Sequence, residues 1–346
     1  GTEHYARQLI KALIEHNERL SNPHQLLLYF REAPDKALFP KSDHVQQIVI
    51  PMRRVWTHIR FASAIWQTRP EITFVPAHTL PFFFPGKAAV TIHDLGYKYF
   101  PQAHTRKQRL YLDLTTAYSA RRAHVVFADS IATAKDLQQH YGISREKIHV
   151  VYPGVEPPTI SDFGAVKKRY KLPERYFLFI GTLQPRKNIQ RLVQAYRLWQ
   201  QSNPSEDIGL VLAGGKGWLY DEQWIEGVTN VHLIGYVDEV DKGALYQNAV
   251  ALVFPSLYEG FGFPAVEAMH CGTPVLASNT SSLPELVGEA GLLVNPLDTQ
   301  AIAEGMARLA SDKSLRQTLQ QQGYEQARQF TWEQAAQAVF QAFEQA

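Results

Sequence analysis

Apolar positions in this chain recur at two spacings, and the two spacings alternate. Tyr5, Leu9 and Leu13, with Ala6, Ile10 and Ile14, fall three to four residues apart, so residues 2–16 read as a helix with one apolar face. Short apolar runs at Gln25–Phe30, Gln46–Ile50, Ile72–Val75, Ala88–Ile92, His124–Ala128 and Ile148–Val151 read as strands. Helical patterns stand among them at Arg53–Gln67, Arg106–Arg121 and Ile131–His140, the last ended by Gly142.

The second half alternates more regularly. Tyr176–Ile180, Gly209–Ala213, Val231–Ile234, Val250–Phe254, Pro274–Ala277 and Gly291–Val294 read as strands. Helices are expected from Ile189 to about Gln200, around Ala244–Gln247, and at Pro264–Cys271, Pro284–Val287, Ala301–Leu309, Ser314–Phe330 and Glu333–Gln345. Strand–helix–strand alternation implies parallel sheets covered by helices on both faces. The stretch Pro153-Gly154-Val155-Glu156-Pro157-Pro158 reads as an interdomain linker. The expected fold is therefore α/β: two doubly wound domains facing a cleft, with ligands at the carboxyl ends of the strands.

Three segments that follow strands carry candidate chemistry. After Val250–Phe254 comes Pro255-Ser256-Leu257-Tyr258-Glu259-Gly260-Phe261-Gly262-Phe263-Pro264-Ala265-Val266-Glu267. Pro264 suits the start of a helix, and Gly260 and Gly262 permit tight turns. The N–H groups of Phe261, Gly262 and Phe263 would then face an anion at the positive end of that helix. A carboxylate beside a phosphate site can accept two vicinal hydroxyls, as on a ribose or a hexose. After Tyr176–Ile180 comes Gly181-Thr182-Leu183-Gln184-Pro185-Arg186-Lys187-Asn188. Cations at the start of a helix oppose its dipole, so local stability does not explain Arg186 and Lys187, whereas a diphosphate does. After Ala88–Ile92 comes His93-Asp94-Leu95, a histidine placed for hydrogen bonding or acid/base work, or else a structural His–Asp pair. Gly1-Thr2 opens the first helix as a further phosphate-contacting turn or a simple N-cap.

Composition removes several classes. With 45% hydrophobic and 20% charged residues among 346, the chain is an ordinary globular protein of about two domains. Its single cysteine, Cys271, excludes an internal disulfide framework and a cysteine-rich zinc site. No apolar run approaches the ~20 residues of a spanning helix. No G-x-G-x-x-G follows a strand and no G-x-x-x-x-G-K-[ST] is present, which argues against a dinucleotide oxidoreductase and a P-loop NTPase. The net charge of +2 hides an asymmetry: residues 1–155 carry +8 and residues 156–346 carry −6. The first half is thus expected to meet something anionic, such as a phosphate-bearing ligand or a membrane surface, rather than nucleic acid. Residues 53–69 set Arg53, Arg54, Arg60 and Arg69 among Trp56, Phe61 and Trp66, a pattern that suits peripheral contact with anionic lipid. The competing reading is a core helix with Val55, Ile59 and Ile65 inside, or one whose aromatics turn inward. The expected location is the cytoplasm, with peripheral contact at the inner membrane face as its membrane variant.

These segments in order resemble the retaining GT-B glycosyltransferases, specifically glycosyltransferase family four. The likeness rests on Gly1-Thr2-Glu3, Thr91-Ile92-His93-Asp94-Leu95, Tyr152-Pro153-Gly154-Val155, Gly181-Thr182-Leu183 with Arg186-Lys187-Asn188, Leu212-Ala213-Gly214-Gly215, the glutamate pair, and Gly272-Thr273-Pro274-Val275 with Pro284-Glu285. It covers nearly the whole chain. The resemblance implies an acceptor-side domain at 1–155 and a nucleotide-sugar domain at 156–330. A final helix at 331–346 would cross back to the first domain. It further implies that Arg186 and Lys187 hold a diphosphate, Glu259 a sugar hydroxyl and Glu267 the ribose hydroxyls. The backbone near Tyr236 and Val237 would meet the base, and His93 would reach the sugar. The family begins with a strand and a Gly-rich loop, and residue 1 stands at that loop's end, so the first strand is expected to be missing from its sheet.

The expectation is a retaining, metal-independent hexosyltransferase that needs no cofactor beyond its nucleotide-diphospho-sugar co-substrate. The His-Asp-Leu segment, with Pro101 downstream, is similar to bacterial mannosyltransferases of polysaccharide assembly. GDP-mannose is accordingly the first donor to consider and a UDP-sugar the second, with a glycan or lipid-linked acceptor. Two rivals remain: a nucleotide-sugar epimerase on the same fold, and a non-catalytic sugar-nucleotide binding module.

Overall fold

A computed structural model describes residues 2–35 and 37–346. The chain divides into two compact units, residues 1–154 with 331–346, and residues 155–330.

The first unit begins with α1 (Thr2–Asn17), β1 (Leu26–Phe30) and β2 (Val45–Val49). A π-helical turn at Thr57–Phe61 runs into α2 (Ala62–Thr68). Then follow β3 (Ile72–Val75), β4 (Lys87–Ile92), α3 (Gly96–Tyr99), α4 (Arg106–Arg122), β5 (Val125–Ala128), α5 (Ile131–Tyr141) and β6 (Ile148–Val150). Strands β3–β4–β5–β6 form one parallel sheet, and β1–β2 a separate parallel pair. Alternate side chains enter opposite cores. Val90, Ile92, Val126 and Ala128 join one layer with Ile65, Leu80 and Leu137, while Ala89, Val125 and Phe127 join the other with Tyr5, Leu9 and Leu13. β1 and β3 feed the same two layers, with Tyr29 and Val75 on one side and Leu26, Ile72 and Phe74 on the other. Gly154 ends this unit's first segment so close to the backbone of Trp332 that a Cβ would lie 2.2 Å from the Trp332 nitrogen.

The second unit comprises α6 (Phe163–Tyr170), β7 (Tyr176–Ile180), α7 (Ile189–Ser202), β8 (Gly209–Ala213), β9 (Val231–Gly235), α8 (Glu239–Gln247), β10 (Ala251–Phe254) and α9 (Phe263–His270). It continues with β11 (Val275–Ser278), α10 (Leu283–Val287), β12 (Gly291–Val294), α11 (Thr299–Ser311) and α12 (Lys313–Ala327). The last helix, α13 (Trp332–Glu344), lies in the first unit, where Trp332, Ala336, Val339 and Phe340 share the core of α1. All six strands are parallel, in the order β12–β11–β10–β7–β8–β9. The chain enters at β7, winds out through β8 and β9, then returns to the other side of β7 as β10. The order therefore reverses between β7 and β10, and the loops beyond their carboxyl ends splay apart to leave a ligand crevice. Strands β7, β8, β10 and β11 are buried throughout, which is why they read as unbroken apolar runs.

Three elements differ from the pattern reading. The helix expected over Arg53–Gln67 begins only at Thr57. Trp56 and Phe61 stack inward at 5.2 Å, Ile65 is fully buried, and Val55, Ile59 and Trp66 are exposed. α6 was not visible as a pattern, because Val166 is its single buried residue. α8 begins at Glu239, ahead of the short apolar stretch that marked its end.

Candidate active site

The reversal between β7 and β10 sets two loops side by side in the second unit. Residues Pro185–Lys187 form a single 3-10 turn after β7. Asn188 then adopts a left-handed backbone and its amide donates to the carbonyls of Pro255 (3.0 Å) and Pro296 (2.7 Å), which pins the turn against the loops after β10 and β12. The main chain adds a bond from Leu257 N–H to the Arg186 carbonyl at 2.9 Å.

On this frame Glu259 accepts from both cations. Lys187 Nζ lies 2.6 Å from Oε1, and Arg186 Nη1 lies 3.1 Å from Oε2 and 3.0 Å from the Tyr258 carbonyl. Lys187 and Glu259 are both buried, and the lysine ammonium stands over the Phe254 ring at 4.7 Å. Burial alone would raise the Glu259 carboxyl. The charges of Lys187 and Arg186, with hydrogen bonds from Lys187 and Ser256, outweigh it and hold the carboxyl below its ordinary range. The cluster thus carries a fixed net charge of +1. A solvated basic turn does not describe it, since neither Lys187 nor its partner faces bulk water.

Ser281 and Ser282 tether the same loop. The Glu259 N–H donates to Ser281 Oγ at 3.0 Å, and both serine hydroxyls donate to the Glu259 carbonyl. Ser282 also donates to the Phe261 carbonyl. Gly262, at φ 127°, is the residue before α9, and no side chain caps that helix. A Cβ there would approach Leu283 to 2.8 Å. Phe261 is buried against Phe263 and Phe330. Pro264 occupies the first turn, so Glu267 falls in the second, where Tyr246 donates its hydroxyl to Oε2 at 2.7 Å. Beyond β9, Val237 is buried and Tyr236 is 74% exposed, an aromatic ring available at the sheet's end. Gly214, at φ 142°, would place a Cβ 2.0 Å from the Gly181 carbonyl, so the ends of β7 and β8 meet there only with glycine.

The first unit holds the remaining candidates. Thr2 is exposed at the start of α1, and Gly1 lies outside the described residues. His93 follows β4, and its Nδ1 pairs with Asp129 Oδ2 at 2.7 Å. Asp129 immediately follows β5 and is buried. No spacing linked the two; the only signal was an acidic residue directly after a buried strand, the position His93 itself occupies after β4. His78, after β3, also meets His93, its Nε2 accepting the His93 main-chain N–H at 3.2 Å.

Two parallel, doubly wound units, the second with a cation-rich strand-order reversal, define the GT-B architecture. The profile of the family described as Glycosyltransferase Family 4 matches residues 1–158, and that of Glycosyl transferases group 1 matches residues 164–326. O-antigen chain mannosyltransferase B of Escherichia coli is 30% identical over 330 residues, covering 92% of this chain and 82% of that protein. The serotype-specific mannosyltransferase WbdA of E. coli is 29% identical over 294 residues, which span 78% of this chain but only 34% of that longer protein. Among solved structures, sucrose-phosphate synthase from Thermosynechococcus elongatus aligns with a TM-score of 0.74 at 22% identity, over 100% of this chain and 93% of that one. Anabaena Alr3699/HepE in complex with UDP-glucose aligns at 0.73 and 18% identity, over 100% and 96%. The chain belongs to the family-four glycosyltransferases.

Proposed function

We propose that this glycosyltransferase moves a hexose, with retention and without a metal, from a nucleoside diphosphate to a hydroxyl of a growing bacterial glycan. The observation that carries the reading is the buried cluster of Lys187, Arg186 and Glu259 at the strand-order reversal of the second unit. Its net +1 charge is already held in position before an anion arrives, so little reorganisation is needed. As the sugar–phosphate bond breaks, negative charge grows on the departing diphosphate. Arg186, Lys187 and the N–H groups at Phe261–Phe263 then gain more with the transition state than with the bound donor. The departing phosphate oxygen can take the acceptor proton, so no carboxylate nucleophile is required. Glu259 serves the cations first and presents its remaining lone pairs to a sugar hydroxyl. Glu267, oriented by Tyr246, takes the ribose hydroxyls, and the main chain at Tyr236 and Val237 meets the base. His93 of the first unit acts on the transferred sugar. Mannose from GDP-mannose is the donor favoured by the likeness to mannosyltransferases, with UDP-sugars next. Product analysis with GDP-mannose and UDP-sugars, with and without a saccharide acceptor, tests the reading. Net transfer to acceptor supports it, and epimerised donor without transfer supports the rival enzyme.

A lipid-linked acceptor is favoured by the surface of the first unit. α4 is built inside out: Thr115, Thr116, Ser119 and Ala120 face the interior, while Leu110, Tyr111 and Leu114 are more than half exposed. Their stripe continues through Tyr118 to Phe82, which stacks on His58 at 4.1 Å, beside Phe83 at 82% exposure. Arg106, Lys107 and Arg109 are exposed on the same helix. Apolar side chains rimmed by cations suit a peripheral contact with anionic lipid. Within residues 53–69, Trp56 and Phe61 pack into the core, while Arg53, Arg54, Arg60, Trp66 and Arg69 are exposed and remain available to the same lipid contact. No helix among the described residues is long and apolar enough to cross a membrane.

A further inference from the structure

The turn that carries Arg186 and Lys187 is fastened at both ends. Asn188 holds its far end to the Pro255 and Pro296 carbonyls. Its near end is held by the segment that follows β8. Leu183 donates its N–H to the Gly215 carbonyl at 2.9 Å and accepts from the Gly217 N–H at 2.8 Å, a single parallel rung opposite Lys216. Leu183 is buried, so these two bonds are what satisfies its main chain. From there only Gln184 separates the rung from the turn, and the Gln184 carbonyl accepts the Lys187 N–H at 2.9 Å. The rung closes because position 217 has no side chain. A Cβ there would lie 2.6 Å from Thr182 Cγ2, 3.0 Å from the Leu183 carbonyl oxygen and 3.2 Å from Gln184 Cβ. Thr182 is β-branched and has little rotamer freedom with which to yield. A Cβ on Gly215 would meet nothing within 4 Å. Neither glycine has a positive φ, so contact rather than backbone conformation distinguishes them.

Resting on the glycosyltransferase reading above, we propose that Gly217 is a positioning residue for the diphosphate: it lets the segment after β8 clamp Leu183, and the clamp sets the Arg186 and Lys187 cations where the departing diphosphate meets them. Lys187 is buried, with its ammonium 2.6 Å from Glu259 and 4.7 Å from the Phe254 ring centre. A side chain at 217 would press Thr182–Gln184 outward. The turn would then either draw Lys187 from these partners or strain its side chain to keep them. Fixed charges stabilise a transition state only while they stand at the right distance, and a misplacement of ~1 Å from a remote change can cost ~100-fold in rate.

The test sets the two glycines against each other in the full chain. In the transfer assay, normalised to folded protein, Gly217→Ala should lower kcat about 10- to 100-fold. Gly215→Ala should stay within a few-fold of wild type. Thr182→Ser, which removes the methyl group nearest to position 217, should be nearly neutral alone and should recover part of the loss in Gly217→Ala. Amide hydrogen exchange without substrate gives the second readout. In Gly217→Ala the amides of Leu183 and Lys187 should exchange faster than in wild type, while those of β8 itself keep their protection. A merely structural role would lower the denaturation midpoint and leave kcat per folded molecule unchanged. That result would overturn the assignment. So would equal kcat in the two alanine variants, a kcat loss without faster exchange at Leu183 and Lys187, or no recovery with Thr182→Ser. If Gly217→Ala does not fold, the wild-type chain still decides: protected Leu183 and Gly217 amides support the clamp, and exchange at the rate of an open loop overturns it. A wild-type chain with these amides protected that transfers no sugar supports the clamp and overturns the transferase reading instead.

Discussion

The two units organise charge in opposite ways. In the second, adjacent cations from one turn, Arg186 and Lys187, converge on Glu259 from the facing loop, leaving a permanent net positive charge. In the first, a histidine meets a carboxylate one-to-one, and its supports come from residues 5, 78 and 133 as well as 129. The first arrangement suits a ligand whose charge never changes sign, such as a diphosphate. The second suits a hydroxyl, for which a proton must be offered or withheld. Permanent charge is supplied by two neighbouring residues and is compact in sequence; an adjustable group needs a surrounding shell and is dispersed.

The sharpest way to break this comparison is to remove the permanent charge. Arg186→Ala or Lys187→Ala should each cost ~2–4 kcal/mol of transition-state stabilisation, roughly 30- to 1000-fold in rate, as when one preorganised oxyanion donor is lost. Steady-state assays of each variant and the pair check it, and turnover within a few-fold of wild type for the pair would refute the role.

Glu259→Ala should act on stability as well as on transfer. It removes the carboxylate that two largely buried cations share, and breaking such a buried pair costs ~3–5 kcal/mol. Denaturant titration of the second unit's transition reports it. Because the folded carboxyl titrates below its ordinary value, its contribution is present above the unfolded pKa and is lost as pH falls through the folded one. The stability difference between wild type and Glu259→Ala should therefore shrink on acidification below the ordinary glutamate range. A difference that grows on acidification contradicts the pairing.

A smaller effect separates the glutamates. Glu267→Ala should weaken bare nucleoside diphosphate and sugar donor alike. Tyr246→Phe, which removes the hydroxyl donated to Glu267, should weaken both by ~1 kcal/mol. Calorimetry with the two ligands reads both variants, and loss of the sugar donor alone in Glu267→Ala would reassign that residue.

Smallest of all, and confined to the first unit, is the lipid stripe. Leu110→Ser with Leu114→Ser should reduce co-sedimentation with anionic vesicles while leaving transfer to a short soluble acceptor within a few-fold. Lys107→Glu with Arg109→Glu should weaken binding most at low salt, since each cation near an anionic surface contributes ~1 kcal/mol and is screened by salt. Equal binding by all variants would remove the stripe from the account.

These contrasts also explain what the sequence made legible. The central strands β5, β7 and β8 were readable because fully buried parallel strands have no polar face to blur the run. The cations and Glu259 were readable because each sits in a short loop immediately after a strand. Their mutual pairing was not, since it depends on β7 and β10 being neighbours across the reversal. Asp129 was missed because β4 and β5 pair in register from opposite ends of α3 and α4, which places residues 93 and 129 together without any spacing rule. The outward face of α4 eluded pattern reading for another reason: its interior side is threonine, serine and alanine, so apolar spacing marks the wrong side.

If the second unit is a nucleoside-diphosphate site, its affinity depends on the Arg186–Lys187–Glu259 cluster. Isothermal titration of GDP and UDP into the wild-type chain and into the Arg186→Ala/Lys187→Ala double variant tests it most directly. The wild type should bind at least one of the two saturably, and the double variant should bind it 30-fold or more weaker, on the order of two lost kcal/mol. No binding of either nucleotide by the folded wild type, or equal affinity in the two proteins, would contradict it.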